Sequence, residues 1–394
     1  MKWHLSQLGS REKYLYPRLI NNKGKIRSFS TDMWFKGISN LPLSGKYARL
    51  KSKWHPDLNS VNVKSRNLLS LYRMINPYSE RSFDLWVKQG EDFGNWAVKK
   101  IQEAGIDSDD YFFGYACSSL EIAKLAKEKN VKMVLGQYDP GFYWYDVQKK
   151  EAEKWLECDL DMYSPTKEFK NRISMEWELS DIIIVNSLHS KEALKAYGVS
   201  EQKIKILPLI APNIIDNEFN ENKKLNKKIK ILFVGNISFA KGFPYFAEAQ
   251  KILKDDNRFE FYAIGDIHIP KNIIKKNEWN INFTGRLNQE ELAEFYKSSH
   301  ILVFPTLSEG FGQVQLEAMS YGLPVIATNK CGDVVIDGVN GKIIETCSCD
   351  QIVDSILNLV SDEYTYLSVC KNALETAEKF NFSNIEKKFW EIFE

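Results

Sequence analysis

The chain has no CxxC pair, no long apolar run and no recognition motif for nucleic acid, and each absence removes a class of protein. Its six cysteines are scattered; only Cys347 and Cys349 stand close, as a CxC with no histidine nearby. Thiols placed this way read as reduced and structural, which favours a cytoplasmic protein over a disulfide-stapled one. No stretch approaches the roughly 18–20 apolar residues that a bilayer span needs. The first residues, Met1 to Gly9, are too polar for a secretory signal. The expectation is a chain neither exported nor membrane-spanning, with at most a peripheral place on the inner face of a membrane.

Net charge is also nearly lacking, at +1, but it is unevenly spread. Residues 1–100 hold 19 Lys+Arg against 7 Asp+Glu, so the remainder carries 34 against 45. Within the basic part, Lys36, Lys46, Arg49, Lys51, Lys53, Lys64, Arg66 and Arg73 are interleaved with Trp34, Tyr47, Trp54 and Tyr72. Two readings stand side by side: an ordinary solvated face, or a surface that meets an anionic partner such as a lipid headgroup or a phosphate-bearing acceptor. Basic residues among aromatics suit a membrane interface.

What the sequence does have is length and rhythm. A chain of 394 residues exceeds one ordinary core, so two domains are expected. Apolar runs bounded by turn signals alternate with helical patterns: Tyr111–Cys117, Val131–Gln137 and Ile182–Asn186 read as strands, Leu120–Lys129 and the Ser187-capped segment as helices. The rhythm breaks at Asn213–Lys230, where Asn220–Lys228 is polar and charged with no apolar period. It restarts at Ile229–Val234 and continues through Phe259–Ile264, Ile281–Thr284, Ile301–Phe304, Pro324–Ala327 and Gly341–Ile344. The fold class expected is α/β, two Rossmann-like doubly wound domains in tandem across a central cleft. The boundaries are 1–212, a linker 213–228, and 229–380. A last helix over 381–394, capped by Ser383, would return to the first domain.

The segment richest in chemistry runs from Phe304 to Ala327. A buried strand ends at Phe304, a loop carries Glu309-Gly310-Phe311-Gly312, and a helix starts near Gln313. The glycines let backbone approach a ligand closely, and the N–H groups of Gln313 and Val314 favour phosphate. A carboxylate at Glu317, one turn into that helix, makes sense if the vicinal hydroxyls of a ribose donate to it. Glu309 in the loop is then free for the hydroxyls of a sugar.

Glu309 and Glu317 form an E-x7-E element. With Ser308–Gly312 and Glu317–Val325 around them, they resemble the signature of the retaining, GT-B-fold glycosyltransferases of family 4. Gly332 and Asp337–Gly341 resemble that family's downstream turn. The resemblance implies transfer of a sugar from a nucleotide-sugar donor, UDP- or GDP-linked, to a saccharide or lipid-linked acceptor in polysaccharide or glycolipid assembly. It implies that Glu309 contacts the transferred sugar, that Glu317 binds the ribose, and that the anomeric configuration is retained by front-face attack. It implies no metal or other cofactor.

Phe233-Val-Gly235-Asn236 and Lys241-Gly242 resemble the family's phosphate-clamping turn, with Asn236 standing where relatives have Arg. Arg286-Leu287 sits where the family positions the base, largely through backbone. In the first domain Gly9, with Arg11 just beyond, resembles the glycine turn that closes over the substrates. Where many relatives keep a histidine, this chain reads Gln137-Tyr138-Asp139-Pro140. Tyr138 or Asp139 would take that place, Asp139 being the better base; equally, Asp139-Pro-Gly141 is simply a turn. Asp159-Leu-Asp161 has the form of a metal-binding DxD but lies far along the chain from every phosphate feature. Two other classes stay open: a sugar-nucleotide epimerase or phosphorylase of the same fold, and a non-catalytic nucleotide-sugar-binding module.

Overall fold

A computed structural model describes residues 1–37, 45–75, 82–155, 164–212, 225 and 228–394. It contains two sheets, and every pairing recorded between their strands is parallel. The first is built from β1 (Trp3–Gln7), β2 (Ile26–Thr31), β3 (Val63–Ser65), β4 (Tyr111–Tyr115), β5 (Lys132–Gln137), β6 (Ile182–Val185) and β7 (Ile204–Ile206), in the order β3-β2-β1-β4-β5-β6-β7. All five residues of β1 are buried, polar His4, Ser6 and Gln7 included, as expected of a central strand covered on both faces.

The second sheet is built from β8 (Ile229–Val234), β9 (Phe259–Ile264), β10 (Asn282–Gly285), β11 (Ile301–Phe304), β12 (Val325–Thr328) and β13 (Gly341–Ile344), in the order β10-β9-β8-β11-β12-β13. Its core shows the two-residue period of a strand directly. Ile229, Ile231 and Phe233 of β8 enter one buried cluster with Phe243 and Phe246, while Leu232 and Val234 enter another with Leu302, Phe304 and Leu316. Both faces are therefore roofed by helices.

By compactness the chain divides into one unit of residues 1–138, 165–185 and 198–205 and a second of 139–164, 186–197 and 206–394. The helices Phe142–Glu153 and Leu188–Ala196 go to the second unit, and packing explains the first of them: Tyr245 donates to Glu151 at 2.6 Å, and Trp155 stacks on Phe239. The helix Phe382–Glu391 is also grouped with the second unit. Its cap is Asn381, whose side chain accepts from Asn384, rather than Ser383, which lies inside the first turn. Most of the linker expected at 213–228 lies outside the described residues.

In the first unit the turn after β4 is gripped by a buried charged network. The Glu176 carboxylate, fully buried, accepts from the backbone N–H of Cys117 (2.6 Å) and Ser119 (2.8 Å). Arg172 donates to Cys117 O at 2.8 Å and forks onto both oxygens of Glu121 at 2.9 and 2.7 Å. The helices carrying these groups are Lys167–Leu179 and Leu120–Lys129, and only the second was expected from the sequence.

Candidate active site

The carboxyl edge of the second sheet is where its loops converge. After β8 the chain makes a turn from Gly235 to Gly242, tied to the neighbouring loop by Ile237 N donating to Asp266 O and His268 N donating to Ile237 O, both at 2.9 Å. Gly242 has φ +66°, and a Cβ there would fall 1.9 Å from Pro305 O, so only glycine fits. Leu307 N and Thr306 Oγ1 donate to Ala240 O at 2.8 and 3.1 Å, which stitches the loop after β11 onto this turn.

That stitching brings Lys241 and Glu309 into an ion pair, with side chains 19% and 23% exposed. The ammonium also stands 5.5 Å from the centre of the Phe304 ring. Burial pulls the Lys241 ammonium down to about 8 from its ordinary 10.5. A cation so poorly hydrated gains more from an anionic ligand than an exposed lysine does.

The Glu309 loop is fixed along its length. Glu309 N donates to Lys330 O at 2.9 Å and Gly332 N to Phe311 O at 2.7 Å. Gly310 and Phe311 are buried, and Gly312 turns with φ +80° into the seven-residue helix Gln313–Met319. The Gln313 side chain is spent on Ile210 O at 2.6 Å, so what it offers a ligand is backbone. Val314 packs against the core beneath. Glu317 is half-buried and accepts from the Tyr296 hydroxyl at 3.2 Å. Tyr296 is itself buried and stacked on Tyr321 with ring centres 5.5 Å apart. Burial, with the Glu317 carboxylate beside it, holds that phenol well above its ordinary value, so it stays a donor.

Gly235, Gly265 and Gly285 end the adjacent strands β8, β9 and β10, all with positive φ. Asn236, exposed, follows the first of them, Asp266 the second and Arg286 the third. The Arg286 guanidinium lies 3.8 Å from the Asp266 carboxylate, both more than half exposed, while Leu287 packs on the core.

Three residues absent from the sequence reading bear on the loop. The helix Leu188–Ala196 is capped by Ser187, as expected, its hydroxyl accepting from Ser190 N at 3.1 Å. From its first turn His189 Nε2 lies 3.1 Å from Ser308 Oγ, Ser190 Oγ donates to Gly310 O at 3.3 Å, and Leu188 N donates to Asp333 Oδ2 at 3.0 Å. His189 and Ser308 are 119 residues apart, and no spacing rule links them.

The first unit, taken by itself, places the Arg11 guanidinium over the Tyr138 ring at 3.6 Å from its centre. Gly9 N donates to Asp32 Oδ1 at 2.8 Å, and Gln7 Nε2 donates to Gly9 O and Arg11 O, so this turn is held by side chains. Asp139, first residue of the second unit, accepts from Gly141 N at 2.9 Å and so closes its own turn. Asp159 and Asp161 lie outside the described residues. Among the described residues Asp107, Asp109 and Asp110 cluster closely enough for a cation, but each already meets a positive group: Arg27 for Asp107 and Asp110, the N-terminal ammonium for Asp109.

Comparison with known proteins gives the family and the fold. Residues 214–379 match the model of the family described as glycosyl transferases group 1. The chain is 30% identical over 253 residues to an uncharacterised glycosyltransferase of Methanocaldococcus jannaschii, covering 57% of this chain and 70% of that protein. It is 28% identical over 233 residues to the capsular polysaccharide biosynthesis glycosyltransferase CapM of Staphylococcus aureus, covering 55% and 60%. It spans 60–70% of the length of the curated relatives it matches first. Among solved structures, HepE of Anabaena in complex with UDP-glucose superposes with a TM-score of 0.58 at 13% identity, over 99% of this chain and 98% of that one. A likeness of that extent shows the shared fold, two Rossmann-like halves of the GT-B kind.

Proposed function

The chain belongs to the group 1 glycosyltransferases, and from that premise we propose that it transfers a sugar from a nucleotide-sugar donor to a saccharide or lipid-linked acceptor. The observation that carries the proposal is the pairing of Lys241 with Glu309 at the carboxyl edge of the second sheet. When a donor enters, the half-dehydrated ammonium exchanges the carboxylate for the diphosphate, and Glu309 is released to the hydroxyls of the sugar. Lys241, with backbone N–H groups of Gln313 and Val314, stabilises the charge that develops on the leaving nucleotide. Glu317, oriented by Tyr296, accepts from the ribose hydroxyls. Gly235 and Asn236 border the diphosphate, and Arg286-Leu287 borders the base.

The chemistry is then mostly positioning and charge stabilisation, with retention by front-face attack and the donor phosphate helping to take the acceptor proton. Tyr138 and Asp139 belong to the acceptor side, with Gly9 and Arg11. Lys241 supplies the charge that a metal would otherwise bring, so activity is expected to survive chelator. Loss in chelator and recovery with manganese would reverse that reading. The complex of HepE with UDP-glucose supports a UDP-linked donor over a GDP-linked one, and the name of CapM supports a place in polysaccharide assembly. The surplus of cations in residues 1–100 supports an anionic membrane surface as partner of a cytoplasmic enzyme, and no described helix is long and apolar enough to cross a membrane.

A thermal-shift screen of UDP- and GDP-sugars, followed by transfer assays, tests the proposal. Lys241→Ala and Glu309→Ala are each expected to cut transfer by at least about a hundredfold while leaving the fold intact. Wild-type turnover in both variants would sink the site assignment.

A further inference from the structure

The stretch Ser308–Gly310 is tethered at three successive residues. Ser308 Oγ meets His189 Nε2, Glu309 N donates to Lys330 O, and Gly310 O accepts from Ser190 Oγ. Ser308 is fully buried, so its hydroxyl finds no water if the histidine is lost. The imidazole is 9% exposed and stands edge-on to Tyr143, ring centres 5.3 Å apart. Burial and the nearby Lys330 cation lower it to about 4, so across neutral pH it stays uncharged, with one N–H and one lone pair. Asp333, two residues before Val335 and one after Gly332, receives Leu188 N and joins the same helix turn to the backbone that holds Phe311.

A residue needed only to fill space would carry no polar atom here, because a buried imidazole loses hydration. The exchange proposed above also needs a fixed backbone. Glu309 must stay in place while Lys241 turns from it to the diphosphate, or the carboxylate would follow the cation.

We propose that His189 is a positioning residue for Glu309: its ring nitrogen fixes Ser308, so that the next carboxylate meets the transferred sugar in one geometry. This rests on the assignment of Glu309 to that sugar. Ser190 is the second point of the clamp, acting on Gly310.

The test compares His189→Phe, which keeps a ring against Tyr143 and removes the nitrogen, with His189→Gln, which returns a polar group at similar reach. Ser308→Ala is the mildest variant, losing one oxygen. Transfer kcat, UDP affinity by calorimetry and amide exchange over residues 308–312 are measured for each. His189→Phe and Ser308→Ala are expected to lose about tenfold or more in kcat, with UDP affinity within about twofold of wild type and faster exchange in the loop. His189→Gln is expected to recover most of the rate. Unchanged kcat and exchange in His189→Phe overturn the proposal, as does parallel loss of kcat and UDP affinity, which marks a structural role alone. If the wild type transfers no sugar, the transferase reading fails, and the exchange comparison still decides the clamp.

Discussion

Lys241 is the residue whose protonation has the most direct consequence. Its ammonium is lowered to about 8 by burial, so the cation that would meet a diphosphate is lost as pH rises through that value. Affinity for UDP is expected to be flat below about pH 7 and to fall above pH 8, at most about tenfold per unit, as titration calorimetry between pH 6.5 and 9.5 would show. The sign for stability is opposite. A lysine whose folded-state value lies below its ordinary 10.5 disfavours the folded state while charged, so the unliganded protein gains stability as pH rises from about 8 towards 10.5. Affinity that is level through pH 9 would show that the diphosphate does not depend on this cation. The neighbouring His189 does not confuse the measurement, since it is uncharged throughout that window.

At the scale of elements, the turn after β4 depends on groups borrowed from two helices. Arg172 is 4% exposed and is shared between Cys117 O and Glu121, beside the buried Glu176. Arg172→Met keeps most of the volume, removes both hydrogen bonds to Glu121 and leaves the buried Glu176 without its cation, and is expected to cost about 3–5 kcal/mol in urea unfolding. A loss below about 1 kcal/mol would mean the carboxylates are satisfied without it. The same network shows where sequence reading stops. The strands of the second sheet, the Glu309 loop and the cap at Ser187 were legible, because a short apolar run between turn signals, a glycine pair and a hydroxyl before a helix are local signals. Arg172 with Glu121, 51 residues apart, and His189 with Ser308 are products of chain crossing, and nothing local announces them. Asn381 was passed over for Ser383 as a cap because both are good capping residues two positions apart, and only backbone angles decide between them.

For the whole molecule, the residues assigned to the donor, from Gly235 to Glu317, all fall in one compact unit. A donor nucleotide at about a hundredfold excess over its Kd is expected to stabilise that unit by about 2.7 kcal/mol. Calorimetric melting should then resolve a transition that moves with UDP and one that does not; a uniform shift of all unfolding would show that the two units melt as one. The row of Gly235, Gly265 and Gly285 across three neighbouring strand ends has a further consequence for how such an enzyme changes its substrate. A side chain at Gly265 would strike Gly235 O at 2.0 Å, and all three glycines hold backbone angles that other residues resist. The rim is thus closed to variation at the glycines and open at the position after each, where Asn236, Asp266 and Arg286 stand. Shape and chemistry are carried by alternate residues, so, on the proposed assignment of this edge to the donor, a change of donor preference can be sought by exchanging those three side chains without redrawing the floor beneath them.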